Sequence, residues 1–201
     1  MQNFIARNRI VVTRWSFALV IALVLFTAPV WSPDSLMALF MKAAGFALIV
    51  LGVFGRLWSS LFICGYKTKK VIQDGPYSVT RNPLYVFSFL GAIGFALVAQ
   101  SWVILALIVA IYVFIYARTI KFEEAKLEDA LGVEYLNYKA NTPRFFPDLS
   151  LYKSVQQYTV TVPQFQQAFK DAAWFFIGYG ALRLVDMLHQ SGVLPAFVHL
   201  P

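Results

Sequence analysis

The longest uncharged segment of this chain runs from Asn82 to Ala117 and contains no Asp, Glu, Lys or Arg. It is too long for a single membrane crossing of about 20 residues and has the length expected for two. Gln100 and Ser101 form a polar break in its middle. The segment therefore predicts a tight hairpin of two transmembrane helices, at roughly 83–99 and 102–117.

Two further segments have the composition of membrane spans. Trp15–Pro33 is free of charge, and Ser35–Gly55 contains only Lys42, which can snorkel towards the membrane surface. Charged residues make up 13% of the chain, compared with about 25% in a typical soluble domain. The prediction is an all-α integral membrane protein with four transmembrane helices.

The distribution of basic residues predicts how the chain is oriented. The net charge of +7 does not form one basic stripe, so the bilayer is the expected partner and nucleic acid is not. The connections at 32–35 and 100–101 contain no basic residue, which places both termini and the intervening basic loop in the cytoplasm. The basic residues that flank the spans are Arg7, Arg9, Arg14, Lys67, Lys69, Lys70, Arg81, Arg118, Lys121 and Lys126.

After the fourth predicted span, the chain changes from an uncharged apolar sequence to one rich in charged residues. Residues 118–140 predict a cytoplasmic amphipathic helix, which Gly132 can interrupt, and the two prolines of NTPRFFP (141–147) end it. The apolar segment Ala172–Leu182 is short for a crossing and predicts an interfacial or re-entrant helix, with a fifth span as the alternative. We expect a membrane domain over 1–147 and a C-terminal extension over 148–201.

The segment GPYSVTRNPLY (75–85) is the first candidate site. Gly75 permits unusual backbone angles, and Pro76 and Pro83 fix their own φ and restrict the residues before them. The loop is therefore expected to be preorganised, with Tyr77 and Tyr85 presenting aromatic faces beside the membrane. Composition alone fits both a capped helix start with interfacial tyrosines and a ligand-binding loop.

The second candidate is the pair Glu123–Glu124. On a helix, Glu123 falls on an apolar stripe with Ile120 and Leu127, whereas Glu124 falls on the neighbouring polar side. A carboxylate on an apolar stripe needs a cationic or hydrogen-bonding partner, or it becomes protonated. Its partner is either a Lys or Arg of this chain or the ammonium group of a ligand.

Other motifs carry less information. Cys64 is the only cysteine, and His189 and His199 lack neighbouring ligands, so no metal site is predicted. The G-x-x-G pairs at Gly52 and Gly91 predict close helix packing rather than chemistry.

Together, GPYSVTRNPLY (75–85), FEEAKLEDALGVEYLNYK (122–139) and TPRFFP (142–147) resemble the isoprenylcysteine carboxyl methyltransferase family, which is related to phospholipid N-methyltransferases. The resemblance covers 67–147 and implies a helical membrane enzyme that binds S-adenosylmethionine at the cytoplasmic face. Asn82 and Lys69 stand where the best-known members have histidine. Thr119, next to Arg118, stands where the carboxyl methyltransferases have a substrate-binding arginine, so the resemblance leaves the acceptor open.

The resemblance also implies a set of site residues. Arg118 is the candidate for contact with the substrate, and no catalytic residue is assigned. The implied cofactor contacts are Lys69, Lys70, Val71, Ile72, Tyr77, Asn82, Pro83, Leu84, Tyr85, Glu123 and Glu124.

The resulting hypothesis is a multi-pass membrane methyltransferase that transfers a methyl group to a lipid-like or lipidated acceptor, a prenylcysteine carboxylate or a lipid headgroup. We expect it in a bacterial or archaeal cell membrane, or in the endoplasmic reticulum of a eukaryote. The alternatives are a non-enzymatic assembly or transport subunit and a membrane reductase of the sterol reductase type.

Overall fold

The computed structural model describes residues 2–66 and 68–201, and within residues 2–13 it describes only one side chain, that of Val11. This description does not include the side chains of Arg7 and Arg9 or any part of Lys67. All three residues contribute to the orientation prediction. The fold is mostly helical, with 71% of the chain in α-helices. The elements in order are α1 (Gln2–Phe26), β1 (Thr27–Pro29), α2 (Leu36–Ile63), α3 (Pro76–Val79), α4 (Pro83–Val98), α5 (Trp102–Asn141), a 3-10 helix (Leu149–Leu151), α6 (Val162–Gln190) and β2 (Val198–Leu200).

Within the described residues, two helices, α2 and α5, are long and apolar enough to cross a bilayer. The segments Arg14–Phe26 and Pro83–Val98 are also apolar but shorter. A helix of 16 residues such as α4 is about 24 Å long, less than the ~30 Å hydrocarbon core. Phe40 and Phe54 on α2 are 69% and 63% exposed, as expected of side chains that face lipid. The four-span count therefore stays a prediction.

The predicted amphipathic helix after the fourth span is not a separate element. Helix α5 continues from the apolar segment through residues 118–140, because Lys, Glu, Ala and Leu all favour helix there. The change in composition marks a change of environment and not a helix end. Gly132 interrupts the helical geometry as predicted, with φ +56° and ψ −132°.

The C-terminal apolar segment is helical, as its composition predicts, whereas a short sheet is a feature that the sequence does not predict. The apolar segment Ala172–Leu182 lies inside α6, a helix of 29 residues. The fold is also not purely helical, because β1 and β2 form a short parallel pair in which Ala28 is opposite His199. Strands of three residues leave no periodic sequence pattern that could reveal them.

The chain divides into two compact units. The first comprises the chain up to Ile49, Ala92–Ala117 and Ile177–Pro201. A Cβ atom on Gly45 would lie 2.6 Å from the carbonyl oxygen of Gly94, so α2 and α4 are in backbone contact in this unit.

The second unit comprises Val50–Gly91 and Arg118–Phe176 and contains both candidate site segments. A Cβ atom on Gly52 would lie 2.9 Å from Cα of Gly91, which confirms the close packing predicted for these glycines. The division of the chain into 1–147 and 148–201 stays a prediction.

Candidate functional site

The loop 75–85 has the preorganised backbone that its composition predicts. Gly75 has φ +56° and ψ −130°, and a Cβ atom there would lie 2.3 Å from the ring of Phe62. Pro76 begins the single turn of α3, and Pro83 begins α4, where its fixed φ suits the first helical turn. Any residue larger than glycine at position 75 would therefore displace this loop.

A segment further along the chain holds this loop in place. We call residues 143–158 the strap, because their backbone follows the loop and satisfies its polar groups. The loop is therefore stiffened from outside as well as by its own prolines. The main-chain hydrogen bonds run from Arg81 N to Pro143 O (2.8 Å), from Asp148 N to Val79 O (2.9 Å) and from Gly75 N to Lys153 O (2.8 Å).

Glu124 is the buried acid of the site, with 3% of its surface exposed. Its Oε1 lies 3.1 Å from Nε of Arg81, and its Oε2 lies 2.9 Å from a terminal nitrogen of Arg144. The N–H of Arg81 Nε is not aligned for a hydrogen bond, so that contact is mainly Coulombic. Asn82 Nδ2 donates to Oε1 at 3.4 Å. One buried carboxylate thus faces two guanidinium groups, and these three groups together carry one excess positive charge.

Glu123 occupies a different environment from its neighbour. It is half-buried, and its Oε2 accepts a 2.8 Å hydrogen bond from the Tyr85 hydroxyl. The predicted burial order was wrong, because the structure buries Glu124 more deeply than Glu123. Glu124 pairs with Arg81 of the loop and with Arg144 of the strap. A stripe drawn on α5 alone includes neither of these residues.

Tyr77 carries a buried polar atom without a partner. The residue is 5% exposed, and its hydroxyl has no hydrogen bond although its ring packs against Phe62 and Ile72. Burial raises the pKa of Tyr77 well above its usual value, so the hydroxyl is neutral at physiological pH. Its carbonyl oxygen accepts a 2.7 Å hydrogen bond from the Tyr138 hydroxyl.

The other implied cofactor contacts have mixed positions. Val71 packs with Tyr135 and Tyr138, and Ile72 belongs to the cluster around Tyr77. Pro83 is buried and Leu84 is half-buried at the start of α4.

The candidate cations lie at the protein surface. Lys69 and Lys70 are exposed, and Nζ of Lys70 lies 4.3 Å above the ring of Tyr66. Arg118 is also exposed on α5, whereas Thr119 next to it is buried. The position that holds an arginine in carboxyl methyltransferases is therefore closed to solvent in this chain.

Sequence reasoning missed two residues of the site. Arg144 lies in the TPRFFP segment, and the sequence pattern does not predict the ion pair that it forms with Glu124. Lys139 accepts a 2.5 Å hydrogen bond at its carbonyl oxygen from Arg81, a main-chain contact that leaves no trace in residue type. An arginine between two prolines, shortly after a helix that carries several acidic residues, was the available signal for Arg144.

The apolar helices α2 and α5 are those of a membrane protein, and the charged cluster lies next to the start of α4. A family model for phospholipid methyltransferases matches residues 30–133, which include the loop and both glutamates. The chain is 34% identical to the cobalt-zinc-cadmium resistance protein CzcN of Cupriavidus metallidurans, over all of this chain and 92% of that protein. It is 30% identical to the nickel-cobalt-cadmium resistance protein NccN of Alcaligenes xylosoxydans xylosoxydans, over all of this chain and 93% of that protein.

The chain therefore belongs to the phospholipid methyltransferase family, in agreement with the family resemblance seen in its motifs. No solved structure matches it. Among the residues that the structure describes, no group of three or more His, Cys, Asp or Glu side chains is arranged to hold a metal ion.

Proposed function

We propose that this protein is a membrane methyltransferase that uses S-adenosylmethionine. The observation that carries the proposal is the hydrogen bond between Tyr85 and Glu123, which joins the loop to α5 across 38 residues of sequence. Both residues lie within the region that matches the methyltransferase family model.

The side chains at this site fit the chemistry of S-adenosylmethionine. The molecule carries an ammonium group, a carboxylate, a sulfonium and an adenine. A half-buried carboxylate, Glu123, suits the ammonium group, and the ring of Tyr85 beside it suits a cation. The unpartnered hydroxyl of Tyr77 is a polar group that a bound ligand would satisfy.

Other residues would complete the binding site. Val71, Ile72, Pro83 and Leu84 would form its apolar walls. Lys69 and Lys70 remain proposed partners for the carboxylate of the cofactor. Arg144 also binds Glu124, but its side chain is 45% exposed and is therefore a further candidate, whereas Arg81 is only 7% exposed and contacts both Glu124 and the carbonyl oxygen of Lys139.

In this proposal the two glutamates have separate roles. Glu123 binds the cofactor, and Glu124 positions Arg81 and Asn82 without touching it. The bound cofactor would supply an electrophilic methyl group for in-line displacement. The contribution of the chain is alignment and exclusion of water, so a catalytic base is not required when the acceptor is already anionic.

We further propose that the acceptor is lipid-like or lipidated and enters from the bilayer, with the site facing the cytoplasm. Arg118 is the proposed contact for an acidic group of that acceptor. The names of the two relatives refer to metal resistance. Methylation of a membrane component is the route by which we expect this protein to contribute to such resistance.

Binding of S-adenosylhomocysteine to the purified protein in detergent tests the proposal. We expect Glu123→Gln to weaken binding at least tenfold, because a neutral amide does not pair with an ammonium group. Glu134→Gln, an exposed position on the same helix, is the matched control and should bind as wild type does. Wild-type protein without measurable affinity would reject the proposal.

Two assays separate the alternative functions. Incubation of membranes with labelled S-adenosylmethionine should yield a labelled lipid or lipidated product, which a non-enzymatic subunit would not produce. Binding of NADPH in place of the methyl donor would instead support a reductase. For the resistance role, a deletion strain should regain growth in cadmium with the wild-type gene and not with Glu123→Gln.

A further inference from the structure

The second unit contains a polar cavity to which the proposed methyl-transfer site assigns no role. Its volume is about 220 Å³, or roughly seven water molecules at ~30 Å³ each. That is room for a small polar group but less than the ~300–1,000 Å³ of a typical site for a whole cofactor. None of the implied cofactor contacts lines it. Its polar lining comes from Gln73, Ser78, Asn137, Asn141, Thr142 and Lys153.

The chemistry of this lining favours an anion. Lys153 is the single charged residue among the described residues that line the cavity, and the other polar groups are amides and hydroxyls. Among the described residues, no carboxylate forms an ion pair with Lys153. A cation surrounded by neutral donors attracts negative charge, because no acidic group within the lining competes for it.

The backbone holds this lysine at the cavity before any ligand binds. Lys153 N donates to Oγ of Ser78 at 2.9 Å, and Lys153 O accepts from Gly75 N at 2.8 Å. On the α5 side, Asn141 Nδ2 donates to the carbonyl oxygen of Asn137 at 2.8 Å, which fixes its amide. The backbone of residue 153 and the amide of Asn141 are thus fixed before binding, which reduces the entropy that binding costs.

We propose that this cavity binds a phosphate group, carried either by a lipid headgroup or by a soluble phosphate. Its donors come from three separate segments: Gln73 before α3, Asn137 and Asn141 at the end of α5, and Lys153 of the strap. The Ser78 hydroxyl already donates to the carbonyl oxygen of Gly75. Donors on several sides suit a tetrahedral oxyanion, which has acceptor oxygens in every direction, better than a planar carboxylate. Lysine binds phosphate well as a point charge.

The cavity also connects to the loop that carries the proposed methyl-donor contacts. Ser78 Oγ donates to the carbonyl oxygen of Gly75 at 2.7 Å, and the hydroxyl of Tyr138, which also lines the cavity, donates to the carbonyl oxygen of Tyr77. A phosphate bound here contacts the residues that hold this loop, and so stabilises it.

The test compares two probes on the purified protein. Inorganic phosphate is titrated by calorimetry, and phosphatidylglycerol is compared with diacylglycerol, its counterpart without phosphate, by native mass spectrometry. We expect Lys153→Gln to weaken binding of at least one probe tenfold, with an unchanged unfolding temperature because the backbone bonds of residue 153 remain. Lys170→Gln, an exposed lysine on α6 that does not line the cavity, is the control.

The outcomes identify the source of the phosphate. Lys153-dependent binding of inorganic phosphate supports a soluble ligand, and Lys153-dependent retention of phosphatidylglycerol alone supports a lipid headgroup. Asn137→Leu, at an exposed helix position, should weaken the same probe. The proposal is overturned if neither probe binds, or if Lys153→Gln and Lys170→Gln reduce binding equally. Neither readout involves S-adenosylmethionine, so this proposal can fail independently of the proposed methyltransferase activity.

Discussion

Replacing each of the two adjacent glutamates by glutamine should separate stability from ligand binding. Glu124→Gln should mainly reduce stability, and Glu123→Gln should mainly reduce cofactor affinity. Glu124→Gln keeps the shape of the side chain but leaves Arg81, only 7% exposed, facing Arg144 without a counter-charge. Removing one partner of a buried ion pair costs about 3–5 kcal/mol. Arg144 is 45% exposed, so its ion pair with Glu124 contributes only the ~0–1 kcal/mol of a surface pair. We therefore expect Glu124→Gln to lower the free energy of unfolding by about 3 kcal/mol, the lower end of the range for a buried pair.

That cost converts to a measurable change in unfolding temperature. For a chain of this size, 1 kcal/mol corresponds to about 2–4 °C, so a loss of about 3 kcal/mol lowers Tm by about 6–12 °C. Glu123→Gln should cost less than about 1 kcal/mol, because the residue is half-buried and an amide oxygen still accepts from Tyr85. Its expected effect is a tenfold loss of S-adenosylhomocysteine affinity, which is about 1.4 kcal/mol.

Thermal unfolding in detergent, with and without S-adenosylhomocysteine, measures both effects on the same samples. The double variant Glu124→Gln with Arg81→Gln should recover part of the lost stability, because it removes the cation left unpaired in the single variant. Equal Tm losses for Glu123→Gln and Glu124→Gln would contradict the division of roles. An unchanged Tm for Glu124→Gln would show that the ion pairs contribute nothing to folding.

Three further predictions address the loop, the helix packing and the topology. The free energy of unfolding should fall as pH rises above about 10, because Tyr77 loses its proton there in the unfolded chain, whereas burial keeps the proton bound in the folded chain. Tyr77→Phe should flatten this pH dependence in alkaline unfolding experiments. Gly94→Ala should cost about 1–3 kcal/mol, since its Cβ would lie 2.6 Å from a backbone oxygen, whereas Gly180→Ala has open space and should not destabilise; thermal unfolding compares the two. Reporter fusions at Asp34 and Asp148 should localise to opposite sides of the membrane, and the same side would refute the four-span topology.

The bounds of the apolar helices could be predicted from sequence because their signal is local. The charge-free segment 82–117 and its polar break at Gln100 give α4 and the start of α5 to within a few residues. The same local signal fails at residue 118, where the first charges predict the start of a new helix but α5 continues. A helix ends where its backbone bonds end, and a charged side chain at a membrane surface does not break them.

The site could be predicted only in part, because its partners are distant in sequence. Periodicity on α5 singled out Glu123 and placed Glu124 on the polar side, whereas Glu124 is the more deeply buried of the two. Their burial depends on Arg81 and Arg144, which lie 43 residues before and 20 residues after Glu124. No pattern along a single helix contains that information.

The contacts of Asn82 explain why this chain can have asparagine where the best-known family members have histidine. Asn82 Nδ2 lies 3.4 Å from Glu124 and 3.0 Å from the carbonyl oxygen of Arg144, so one amide group serves the buried acid and the strap together. The cluster already places two guanidinium groups on one carboxylate, and a protonated histidine at position 82 would add a third positive charge. A neutral amide makes both contacts without that repulsion. The substitution therefore changes how the loop is fastened to the strap, while Glu123 and Tyr85 keep the contact on which the proposed methyl-donor site depends.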